Sequence, residues 1–89
     1  MNVTASSPLG IVAAFVGAVP AVVTRSRRHG GVELHFAAGN SVEFEPGDFQ
    51  HMGAMKSKLL HARRHRPPRL SYEERAEVVA AMLALADQR

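Results

Sequence analysis

Between Lys56 and Arg69 the chain reads K-S-K-L-L-H-A-R-R-H-R-P-P-R. This stretch holds six of the eleven Lys and Arg residues, two of the five His, and no acidic residue. Cations crowded together without a carboxylate suit one chemistry above others, the neutralisation of an anion such as a phosphate backbone. The candidate contacts are Lys56, Lys58, Arg63, Arg64, Arg66 and Arg69, with Arg27 and Arg28 from an upstream cluster assisting. Such a surface holds a backbone without reading bases. The helix macrodipole also favours cations near a helix C-terminus, by about 0.3–1 kcal/mol, but six cations exceed what a helix end needs. The partner classes these residues imply are nucleic acid, DNA or RNA, and alternatively an acidic protein surface.

Other reactive residue types are less well placed. His61 and His65 stand four apart, a spacing that can chelate zinc on a helix. The intervening residues are Ala-Arg-Arg, so the glutamate of H-E-x-x-H is missing and two cations would repel the metal. No metal site is assigned. There is no Cys, which removes disulfides and thiolate ligands. Ser7 and Ser71 sit where helices begin, Ser41 at a turn edge and Ser57 inside the basic run, so none reads as a nucleophile. Gly30-Gly31 and Pro46-Gly47 lack the G-x-x-x-x-G-K-[ST] context that cradles phosphates. The sequence therefore points to a non-enzymatic protein with no catalytic residue and no cofactor.

The elements that must carry the basic stretch follow from pattern. Eighty-nine residues with 46% apolar content suit one small domain, with a loose N-terminus over 1–6, a helix–meander–helix core over 7–66 and a C-terminal helix over 71–87. Leu9–Val23 is uncharged and apolar, but it is shorter than the roughly 20 residues a membrane span needs. Pro20 interrupts it, and the cations follow it rather than precede it, unlike a secretory signal. It reads as buried core, with no membrane span and a cytoplasmic protein expected. Membrane-surface attachment through this segment beside Arg25–Arg28 is a weaker reading.

Ser7-Pro8 predicts a helix start and a short helix to about Val19. Ala21–Arg27, Val32–Ala37 and Ser41–Glu45 predict three antiparallel strands. The alternation places Val32, Leu34, Phe36, Val42 and Phe44 inward, and Glu33, His35, Glu43 and Glu45 outward. A first turn over Arg28-His29-Gly30 sets Arg25 opposite Glu33. A second over Ala38-Gly39-Asn40 pairs Phe36 with Val42, Leu34 with Phe44 and His35 with Glu43. Asp48 then caps a helix to about His65, with Phe49, Met52, Met55, Leu59 and Ala62 as its apolar stripe. Pro67-Pro68 ends it. Ser71-Tyr72-Glu73-Glu74 is a capping box opening a last helix to about Asp87. The apolar arc of that helix is wide, so Val78, Met82 and Leu85 offer a face for self-association as a homodimer.

The fold class is α+β: a short N-terminal helix, a three-stranded meander and two C-terminal helices. Over about residues 7–65 the order resembles that of double-stranded RNA-binding domains, in topology only. Those domains carry a Lys-Lys-x-Ala-Lys type motif at the start of their last helix, where this chain has Asp48-Phe49-Gln50-His51. An acidic outer sheet face also argues against pressing the strands into a nucleic-acid groove.

Overall fold

The computed structural model describes residues 7–88, and the loose segment expected over 1–6 lies outside them. The first helix, α1 (Pro8–Val16), begins as its cap residues require. Ser7 Oγ accepts from the Gly10 N–H at 3.1 Å, and Pro8 occupies the first turn, where no N–H is needed. The helix stops short of Val19 because Gly17 adopts a left-handed φ of 81° and its N–H closes on Ala13 O at 2.9 Å. A Cβ at Gly17 would also meet the His65 ring at 2.6 Å. Leu9–Val23 is thus a helix, a turn and the start of a strand, with Val12, Phe15 and Val16 in the core. Among the described residues no helix is long and apolar enough to cross a membrane.

Three short strands follow, β1 (Val22–Arg25), β2 (Val32–His35) and β3 (Ser41–Phe44), antiparallel and in the order β1-β2-β3. A 3-10 turn (Pro46–Gln50), α2 (Met52–Arg63) and α3 (Tyr72–Asp87) complete the chain. This is the α+β order read from the sequence. The inner face of the sheet buries Val32, Leu34, Phe36, Val42 and Phe44. Helix α3 lies under β1 and β2, α2 lies under β3, and α1 packs on α3. The opposite face carries half-buried Glu33, His35 and Glu43, as the alternation required.

Both hairpin registers differ from expectation. In the first, Ser26 N–H donates to Gly31 O at 3.0 Å, so the loop is Arg27–Gly30, with Gly30 at φ 76°. Arg25 therefore stands opposite Val32, and Thr24 opposite Glu33. A one-residue slip turns a strand over. Val23 and Arg25 consequently face the helices, and the expected Arg25–Glu33 pair does not form. The reason is Gly31: a Cβ there would lie 1.9 Å from Phe44 O. Gly31 is needed in the ladder beside β3, where its bare backbone admits that carbonyl. The second loop has the expected length but sits one residue earlier. It is Ala37-Ala38-Gly39, with Gly39 at φ 99° and Phe36 N–H donating to Asn40 O at 3.0 Å. Glycine occupies the left-handed third position such loops favour. Leu34 then pairs with Val42 and Val32 with Phe44, while Glu33 faces Glu43 and His35 faces Ser41. The inward set survives, and the His35–Glu43 pair does not.

The helix expected from Asp48 to His65 is two pieces. Asp48 belongs to the 3-10 turn, where its carboxylate accepts from the Glu45 N–H at 2.8 Å. His51 is extended at φ −130°, and α2 starts at Met52. It ends at Arg63, because Arg64 turns left-handed at φ 54° and its N–H closes on Leu60 O at 2.8 Å. Its apolar stripe is as expected, with Met55 and Leu59 buried and Phe49, Met52 and Ala62 packed beside them. The capping box of α3 forms in both directions: Ser71 Oγ accepts from Glu74 N–H at 3.1 Å, and Glu74 Oε1 accepts from Ser71 N–H at 2.8 Å. Val78 and Met82, proposed with Leu85 as a self-association face, are 4% and 0% exposed. They close onto this chain's own core, and Leu85 packs beside it partly buried. The wide apolar arc is accounted for by contacts with both α1 and the sheet.

A candidate anion-binding groove on the second helix

The cations of the basic stretch divide into those held by the fold and those left at its surface. Lys58 is held. Its Nζ donates to the Asp48 carboxylate and, at 3.2 Å, to Glu43 O, with Glu45 Oε2 at 3.8 Å. Burial alone would raise the pKa of Asp48. The bonds from Lys58 and from the Glu45 N–H, with the Lys58 charge, outweigh that and hold it below the usual carboxylate value. Arg63 is held as well, its guanidinium 4.3 Å from the centre of the Phe36 ring, a cation–π contact. Its Nε is buried without a hydrogen-bond partner.

At the β1–β2 tip, Arg28 donates to Glu43 Oε1 at 2.8 Å, and Ser26 Oγ donates to Glu43 Oε2 at 3.1 Å. Gly31 N–H donates to His29 Nδ1 at 3.0 Å. Nε2 of the same ring lies 3.2 Å from Glu43 Oε2. The separation is that of an ion pair, but the angle is not that of a hydrogen bond. Burial would raise the Glu43 pKa; Ser26, Arg28 and His29 together lower it instead. Arg25, on the inner side of β1, forms an exposed ion pair with Asp87 at 2.8 Å. Local pattern carries no sign of the Glu43 hub beyond the short-range turn bond from Arg28 N–H to Ser26 Oγ.

Lys56, Arg64, Arg66, Arg69 and Arg27 make no ion pair or side-chain hydrogen bond within the described residues. After Arg64 the chain doubles back along α2, which brings Arg66 and Pro67 against Lys56, Ser57 and Leu60. These line a groove of about 330 Å³ with no acidic residue in its wall. Leu60, 47% exposed, forms part of its apolar lining. Arg64 and Arg69 are exposed on either side of Arg66 in the chain.

The hairpin tip does not join this surface. Asn40 Nδ2 donates to Ala62 O at 3.1 Å, so the far end of β3 marks the C-terminus of α2. Arg28 lies at the other end of β3, beside Glu43. One strand length, roughly 14 Å for four residues, separates the tip from the cations around Arg64. Arg28, read as assisting the basic stretch, is paired with Glu43 at that tip.

The His61–His65 spacing loses its meaning when α2 ends at Arg63. His61 is exposed on the side of α2 facing β3, whereas His65 Nε2 lies 3.1 Å from Phe15 O and its ring packs on Gly17. Among the described residues no cluster of His, Asp or Glu is arranged to hold a metal. Sequence reasoning passed over Tyr72 and Arg75. The guanidinium of Arg75 sits 4.9 Å from the Tyr72 ring centre, and their i, i+3 spacing was the available signal.

No protein-family model, curated protein or solved structure matches this chain.

Proposed function

We propose that this chain is a small non-enzymatic nucleic-acid-binding protein that grips the phosphate backbone through Lys56, Arg64, Arg66 and Arg69. The observation carrying the reading is the acid-free groove in which Lys56 and Arg66 are brought together from separate elements. The fold supplies internal carboxylates to Lys58, Arg28 and Arg25 and leaves these four cations without one. Phosphate oxygens from a ligand would complete them through charge-assisted bonds.

Binding should be steeply salt-dependent. Four phosphate contacts on duplex DNA correspond to a slope of log K against log salt of about −3.6, at about −0.9 per contact. The double charge reversal Lys56→Glu/Arg66→Glu should weaken every sequence alike, by roughly tenfold or more. A flat salt response, or no binding to any oligonucleotide at low salt, refutes the proposal. A second reading, an acidic protein segment, is favoured by one feature, the exposed apolar side chain of Leu60 between the cations. It predicts a defined protein complex that survives nuclease treatment.

A further inference from the structure

Among the described residues Tyr72 is the most exposed large hydrophobic side chain, at 74%, and a guanidinium lies against its ring. Arg75 Nη1 donates to Gln50 O at 3.0 Å, and the guanidinium lies 4.9 Å from the ring centre. The ring thus has a cation on one side and solvent over most of its surface. Its place matters as much as its exposure. Gln50 lies two residues before the start of α2, and Lys56 lies about 6 Å along the helix axis from Met52, at 1.5 Å per residue. The chain from Arg66 to Tyr72 runs back along α2 toward that start. Exposed Arg69 lies in the chain between Arg66, in the groove wall, and exposed Tyr72.

Cations that follow a backbone beside an aromatic face are what proteins present to single strands, where unpaired bases can stack. A duplex keeps its base faces covered, so it would use the cations and not the ring. We infer that Tyr72 is a base-stacking platform continuous with the phosphate groove, and that the ligand class is single-stranded nucleic acid. This inference rests on the phosphate-binding reading above and adds the strand state of the ligand.

Tyr72 is the sole tyrosine and the chain has no tryptophan, so its emission reports on this ring alone. The test titrates the intact protein with oligothymidylate and with a duplex of equal length, following tyrosine emission and the anisotropy of end-labelled strands in parallel. Oligothymidylate should quench the emission saturably. Tyr72→Leu should weaken single-strand binding roughly five- to hundredfold, the range for one stacked base. It should leave duplex binding unchanged, and Tyr72→Phe should restore single-strand affinity. Single-strand binding without quenching, or equal losses for single strand and duplex in Tyr72→Leu, overturns the stacking site while the phosphate groove stands. Anisotropy that shows neither strand form bound overturns both readings.

Discussion

Lys56 and Lys58 are two residues apart, carry the same charge and belong to the same basic stretch, yet the fold pairs Lys58 with Asp48 and leaves Lys56 without an internal carboxylate. Replacing each by Met removes one charge and keeps most of the aliphatic stem. In Lys58→Met the Asp48 carboxylate, 14% exposed, keeps only the Glu45 N–H, and Glu43 O loses its donor. A hydrogen bond to a charged group contributes about 1.5–3 kcal/mol. Because the Lys58 side chain is 35% exposed, solvent screening places the loss toward the lower end, at about 1.5–2 kcal/mol. For a domain of this size that lowers Tm by roughly 6–16 °C. Lys56→Met breaks no internal polar contact and should change stability by less than about 0.5 kcal/mol.

The binding assay should give the reverse order. Lys56→Met should weaken oligonucleotide binding and reduce the salt slope by about one contact. Lys58→Met should bind as the unaltered protein does, below its own melting range. Acid provides an independent check. Asp48 titrates below its ordinary value in the fold, so its contribution is complete above the unfolded carboxylate value of about 4. It is lost as pH falls through the lower folded value. Without Lys58, burial acts with less opposition, so the folded value rises toward the unfolded one and the acid loss of stability due to Asp48 should become smaller. Thermal melts from pH 3 to 7, with anisotropy titrations at several salt concentrations, read all of this. A Lys58→Met protein that melts normally and binds as poorly as Lys56→Met would refute the division of the basic stretch.

Two further substitutions test the backbone. Gly31→Ala puts a Cβ 1.9 Å from Phe44 O; one strand must shift, and a loss of about 3 kcal/mol or more is expected in urea denaturation. Arg64→Gly relieves a left-handed residue at φ 54° and should stabilise the fold by about 0.5–1 kcal/mol, while anisotropy shows weaker oligonucleotide binding because a surface cation is gone.

What the sequence determined by itself was local. The Ser7-Pro8 start, the Ser71–Glu74 box and the inward alternation of β2 and β3 depend on residues within a few positions of one another. So does the stripe from Phe49 to Ala62, and each appears as read. Registers were less legible, because the glycines that decide them act through contacts distant in the chain: Gly31 against Phe44, and Gly17 against His65. The end of α2 was hidden for a related reason, since Arg64, a residue with no strong preference for the left-handed region, stops the helix before Pro67-Pro68 is reached. For the basic stretch, composition could count cations but could not say which were already neutralised. That depended on where β3 and the 3-10 turn placed Glu43, Glu45 and Asp48, and on how the chain after Arg64 folded back to set Arg66 beside Lys56. Tertiary structure alone made that separation, because charge pairing depends on distances of a few ångströms between residues ten or more positions apart.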